Sequence, residues 1–132
     1  MQALNHYSRA SRNGLAGERI AETILNAPVD PIGLLDITTP RGRPIEVKTC
    51  QAWVKTEHTD NYRRRGRYNL IGIQHRALCK AGGYYLFVLL DDDEKPIEIS
   101  CLPAQQLYHP SLQAENTRVS LSWNKVIPPE AL

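Results

Sequence analysis

The stretch Tyr84-Tyr-Leu-Phe-Val-Leu-Leu90 constrains the fold more than any other part of this chain. Its length is that of a strand, and apolar side chains at every position leave neither face suited to water. Such a strand belongs at the centre of a sheet that is covered on both sides. The rest of the chain must therefore supply flanking strands and two covering layers. With 132 residues it can do so as one domain, 1–132, and no more.

The neighbouring segments read accordingly. From Gly14 to Asn26, Leu15, Ala21 and Leu25 share a helical stripe with Ile20 and Ile24 beside it, and Pro28 ends the helix. Residues 1–12 are polar and expected to be flexible. Ile32–Thr39 reads as a strand, Pro40-Arg-Gly-Arg43 as a turn and Pro44–Cys50 as a second strand. Residues 55–69 lack periodicity and read as a basic, mobile loop. Leu70, Ile73, Ala77, Leu78 and Ala81 recur at helical spacing until Gly82-Gly83 stops the helix. After Leu90, Asp91-Asp-Asp-Glu94 makes a turn, Pro96–Leu102 returns antiparallel, and Arg118–Trp123 alternates as a short edge strand. The sum is an α/β domain around a mixed sheet.

Other classes drop out. No apolar stretch approaches the ~20 residues that span a bilayer. The N-terminal sequence lacks the basic-then-apolar pattern of a secretory signal, so a cytoplasmic location is expected. Cys50, Cys79 and Cys101 are odd in number and widely spaced, which argues against a disulfide framework. His6, His58, His75 and His109 supply no close pair for a zinc site.

The chemistry concentrates around Asp36 and Glu46-Val47-Lys48. If residues 32–48 form a hairpin centred on Arg41, paired positions sum to 82 and Asp36 faces Glu46. Cross-strand Cβ atoms then lie roughly 4.5–5.5 Å apart. Lys48 projects from the same face as Glu46, while Ile45 and Val47 point to the core. Two facing carboxylates repel, and a divalent cation between them turns repulsion into a ligand set. That cation would polarise a phosphate oxygen and activate water, with a neighbouring ammonium stabilising charge at phosphorus. On an open sheet face, Glu-x-Lys is also an ordinary solvated pair. Three features favour the catalytic reading: the apolar setting of Asp36, the register, and the arginine-rich segment that follows.

These residues resemble the PD-(D/E)XK nuclease superfamily, with its αβββαβ, restriction-endonuclease-like core. The resemblance spans roughly Gly14 to Leu90. It is carried by Gly14-Leu-Ala-Gly-Glu-Arg19, Leu35-Asp36-Ile37, Ile45-Glu-Val-Lys-Thr49, Gln74-His75 and Tyr84–Leu90. It implies a Mg²⁺- or Mn²⁺-dependent DNA endonuclease in which Asp36, Glu46, the carbonyl of Val47 and Glu18 hold metal. Lys48 would serve the attacking water and Gln74 would support Lys48. Glu22, on the same helix face as Glu18, is expected to be a surface or ion-pair residue. The Gly-x-x-x-Glu-Arg helix is similar to that of archaeal Holliday junction resolvases, which act in DNA recombination. The Glu-Val-Lys-Thr strand, basic segment and Gly-Gly-Tyr-Tyr strand are equally similar to small restriction-type and homing endonucleases. A non-catalytic DNA-binding protein on the same fold is the third reading. A homodimer is expected, because cutting two strands needs two sites.

Charge distribution points the same way. Residues 41–80 carry ten basic against three acidic groups, a net +7, whereas the parts before and after are net −1 and −4. Tyr62-Arg-Arg-Arg-Gly-Arg-Tyr68 is the focus. Arg63, Arg64, Arg65 and Arg67 can pair with phosphates, and Tyr62 and Tyr68 can stack on bases or sugars. Gly66 would let the backbone approach the ligand. Trp53 and Trp123 are expected to pack, with Trp53 a candidate for a dimer or DNA surface.

Overall fold

The computed structural model describes residues 9–56, 62–107, 109–114 and 116–128. The expected flexibility of residues 1–12 falls largely outside these; helix α1 (Arg9–Leu25) is already formed at Arg9, earlier than the Gly14 start read from the apolar stripe. The strands are β1 (Ile37–Thr38), β2 (Pro44–Gln51), β3 (Trp53–Lys55), β4 (Arg63–Arg65) and β5 (Arg67–Ile71). Helix α2 (Gly72–Lys80) follows, then β6 (Tyr84–Leu90), β7 (Pro96–Pro103) and β8 (Arg118–Ser122).

The apolar run forms β6, inside a mixed sheet of order β1-β2-β6-β7. β2 and β6 are parallel, linked by a crossover that contains α2, and the other two pairs are antiparallel. Alternation along β6 divides the core in two. Leu86, Val88 and Leu90 pack with Ala21, Ile37 and Val47 beneath α1. Tyr85, Phe87 and Leu89 pack on the other face with Leu78 of α2, Tyr68 and Leu70 of β5, and Trp123. This is the α/β class expected, with a helix on each face.

Four local readings are corrected. Only Ile37–Thr38 of the anticipated strand 32–39 is strand; residues 31–36 bend, with Asp30 Oδ1 accepting from the Ile32 N–H at 3.1 Å. Ile32 is left 94% exposed, so apolar content there did not mean burial. The segment read as a loop over 55–69 is largely strand: β3 and β4 form an antiparallel ribbon, Trp53↔Arg65 to Lys55↔Arg63, and β5 pairs with β8. Leu70 consequently belongs to β5 rather than to α2. β8 partners β5 in a separate two-stranded sheet instead of edging the central one.

Close approach sets how α1 lies on β2. A Cβ at Gly17 would land on the Thr49 side chain, so only glycine allows the helix this near. Gly14, three residues earlier, faces open space. Gly17→Val is therefore expected to cost about 1–3 kcal/mol through overpacking. Gly14→Ala should instead stabilise by up to ~1 kcal/mol through helix propensity. Urea denaturation midpoints of the two variants would distinguish them, and equal midpoints would contradict this packing.

Candidate active site

A tight turn sets the register of the acidic pair. The Thr39 N–H donates to Arg43 O at 2.9 Å, the Gly42 N–H donates to Thr39 O at 2.8 Å, and Gly42 takes φ +82°. The pairs that follow, Thr38↔Pro44 and Ile37↔Ile45, keep the sum of 82 read from the sequence. At the next step side chains take over from the ladder. The Asp36 N–H donates to Glu46 Oε1 at 3.1 Å, and the Val47 N–H donates to Asp36 Oδ2 at 2.9 Å.

Lys48 completes the cluster from the same strand. Its Nζ lies 3.1 Å from Glu46 Oε2 and donates to Gln74 Oε1 at 2.9 Å. Gln74 in turn donates through Nε2 to Leu34 O at 3.3 Å, which ties α2 to the bend before Asp36. His75 turns away: its Nδ1 is 2.9 Å from the Tyr85 hydroxyl, and Tyr85 is the strand partner of Glu46. Glu22 accepts from the Val29 N–H at 2.9 Å, a structural task at the end of α1.

Electrostatics mark the site as short of positive charge. Glu46, 3% exposed, has its pKa pushed up to about 7, mainly by burial. The Lys48 ammonium opposes that rise and Asp36 adds to it. The carboxyl of Glu18 is also raised, first by burial, then by Asp36 and Glu22. Asp36 thus raises both of these carboxyls, and Lys48 opposes the rise at Glu46.

This donor set fits a divalent cation. Asp36 and Glu46 bring two carboxyl groups together, and each also accepts a backbone N–H from the facing segment. No three His, Cys, Asp or Glu side chains among the described residues form a ready cage. Mg²⁺ needs none, since it uses one or two carboxylates and keeps several waters.

Beside the cluster, β1 pairs only with Pro44 and Ile45, so farther along β2 the same edge has no strand partner among the described residues. A cleft of about 450 Å³ runs along it from Val47 to Gln51. Glu18 and Lys48 line the cleft, and so do Arg64 and Arg67.

The arginines are sorted by strand alternation. Arg64 and Arg67 face the cleft, whereas Arg63 pairs with Asp92 at 2.5 Å. The Arg65 guanidinium lies 5.5 Å from the Trp53 ring centroid and 5.9 Å from that of Trp123. Trp53 is thus a half-exposed stacking partner, and Trp123 is buried with its indole N–H donated to Ala52 O at 2.8 Å. Tyr62 is exposed. Tyr68, expected at a DNA surface, is fully buried, hydrogen-bonded to Val88 O and tilted against Phe87, so it cannot stack on a nucleotide. Gly66 makes its close approach to the Gln51 carbonyl rather than to a ligand.

The sequence reading missed Asn13, which lines the cleft and is 8% exposed. The available signal was its spacing with Gly17 and Ala21, which places it on the buried stripe of α1.

An acidic pair and a lysine, Asp36 on the bend before β1 and Glu46 and Lys48 on β2, thus lie beside a cleft that Arg64 and Arg67 also line. A family model described as a PD-(D/E)XK nuclease superfamily domain matches residues 5–128, and the chain belongs to that superfamily. The mixed sheet with its two helices is consistent with the restriction-endonuclease-like fold. A comparison with curated proteins gave no match.

The raised Glu46 carboxyl has a measurable consequence. Unfolded, it titrates near 4.5, and folded near 7, so the native state holds an extra proton between those values. Its contribution is fully present below pH 4.5 and is lost as pH rises through 7. Metal-free protein should lose up to about 3 kcal/mol over that window, and Glu46→Gln should flatten the loss. Denaturation in chelator at a series of pH values measures this; parallel curves for the two proteins would contradict it.

Proposed function

We propose that the protein is a metal-dependent DNA endonuclease whose preferred substrate is branched DNA of the Holliday-junction kind. The observation that carries the nuclease reading is the Asp36–Glu46–Lys48–Gln74 arrangement: two carboxylates locked by register, with a lysine held between Glu46 and an amide. The family to which the chain belongs makes nucleic acid the implied substrate. Asp36 and Glu46 would hold the cation, with the Val47 carbonyl and Glu18 as further donors. When bound, Mg²⁺ or Mn²⁺ supplies charge neutralisation at the phosphate and activation of water.

The chain's own groups do the remaining work. Lys48 Nζ is fixed by two acceptors, so it can donate its third hydrogen to the attacking water or to the oxygen gaining charge at phosphorus. Gln74 prevents that ammonium from collapsing wholly onto Glu46. Arg64 and Arg67, which also line the cleft, pair with the phosphates of the bound strand. Support for a junction substrate over a linear site comes from Glu18, the first-helix acid, which lines the cleft together with Lys48. A C2 dimer would present two such sites to two strands.

Cleavage of supercoiled plasmid, matched linear duplex and four-way junction DNA, with Mg²⁺ and with chelator, tests the reading. Wild-type protein should cut the junction in preference to the linear duplex, and only with metal. Lys48→Ala and Asp36→Asn should be at least ~100-fold slower. Cutting of linear duplex at fixed positions would favour a restriction-type or homing enzyme. No metal-dependent cleavage of any form would leave a non-catalytic DNA-binding protein.

The arginines generate a second expectation. Arg64→Ala and Arg67→Ala should each reduce the slope of log affinity against log salt by about 0.7–0.9. Arg65→Ala, whose cation is stacked between two indoles, should leave the slope nearer the wild-type value. Equal slope changes in all three variants would show that the cleft does not sort them.

A further inference from the structure

Asn13 is a cleft residue to which the catalytic reading gives no task. It lies on α1 five residues before Glu18, is 8% exposed, and its Oδ1 takes no hydrogen bond from any described residue. A buried amide oxygen without a donor costs stability, and folded proteins rarely keep one. Asn13 lines the cleft, as do Asn69 and Ser120. Those two residues are cross-strand partners on β5 and β8, and both are exposed.

The depth of Asn13 limits what can reach it. Base edges of an intact duplex lie at the floor of the grooves, so a protein group that reads them must project outward. Asn13 is recessed instead, and only a group that leaves the stack and enters the cleft can meet it. The volume, about 450 Å³, falls in the range of small-ligand pockets and has room for one nucleotide, not for a double helix.

We propose that this cleft takes up one unstacked nucleotide of the DNA beside the scissile phosphate. Asn13 Oδ1 accepts from an exocyclic amino group or ring N–H of its base, and Asn69 and Ser120 meet the base's other polar atoms. The inference rests on the nuclease reading for the position of the phosphate, but not for the role of Asn13. It makes DNA with an unpaired nucleotide near the cleavage point the favoured substrate class, because unstacking costs least where a base is already unpaired.

The test uses the full chain in chelator, and again with Ca²⁺, so that binding is read without cleavage. The probes are a matched duplex containing 2-aminopurine and the same duplex with that base unpaired. The unpaired probe should bind at least ~10-fold tighter, and the fluorescence of the matched probe should rise on binding as its base unstacks. Asn13→Leu should lose ~3–10-fold in affinity for the unpaired probe without a fall in Tm, because it removes an unpaired acceptor from the free protein. Gly14→Leu, whose side chain enters open space in the same cleft, should block the nucleotide and remove the preference too.

Equal affinity of wild-type protein for both probes with no fluorescence change would overturn the proposal, whatever the variants do. So would an Asn13→Leu protein that keeps the preference, or one whose only defect is a lower Tm. Unselective binding with metal-dependent cleavage intact would overturn this inference alone. Failure to bind any DNA would overturn the nuclease reading with it.

Discussion

β1 is only two residues long, and where its ladder with β2 stops, a pair of carboxylates carries the pairing onward. Glu46 takes the Asp36 N–H and Asp36 takes the Val47 N–H, so each acid satisfies a backbone donor of the facing segment. Hydrogen bonds to charged acceptors are worth about 1.5–3 kcal/mol each, and here they hold the two acids in register without a longer strand. The same economy leaves the edge of β2 beyond Glu46 without a strand partner among the described residues, and Val47 to Gln51 along that edge line the cleft. Register, acidic site and cleft therefore have one origin.

Burial makes the arrangement electrostatically tense. Glu46 is enclosed beside Tyr85 with one lysine as its counter-charge, and Asp36 lies close enough to raise the carboxyl pKa of both Glu46 and Glu18. Removing one partner of a buried ion pair costs roughly 3–5 kcal/mol, so Lys48 serves the fold as well as the chemistry proposed for it. Neither Arg64 nor Arg67 of the cleft lining pairs with an acid of the cluster in any ion pair among the described residues, while Arg63 and Arg65 are engaged by Asp92 and by two tryptophans.

Much of this was legible because it is local. The Pro40–Arg43 turn fixed the sum of 82, and from it the facing of Asp36 and Glu46 followed by counting. β6 announced its burial through seven apolar residues, and its alternation then split the core between α1 and α2. What was not legible depends on distant partners. The β3–β4 ribbon exists because Trp53–Lys55 meets Arg63–Arg65 across a polar gap, which no periodicity reveals. Ile32 and Leu34 looked like strand interior, but Asp30 and the Gln74 amide bend that segment outward instead. Arg67-Tyr-Asn-Leu-Ile71 did carry a signal in its polar–apolar alternation, and that alternation is why Tyr68 is core and not a DNA contact. Asn13 could be placed on the helix but not in the cleft, because part of the cleft lining comes from β5 and β8.

The central claim is that Asp36 and Glu46 form a cation site rather than a structural acidic pair. Calorimetric titration of the DNA-free protein with Mn²⁺ at about pH 6.5, in buffers of differing ionisation enthalpy, addresses it most directly. The account predicts binding accompanied by proton release, since the cation must displace the proton that Glu46 retains with its pKa of about 7. Asp36→Asn, which can still accept the Val47 hydrogen bond, should abolish that binding. Binding unchanged in Asp36→Asn, or no binding by wild type up to millimolar Mn²⁺, would contradict it.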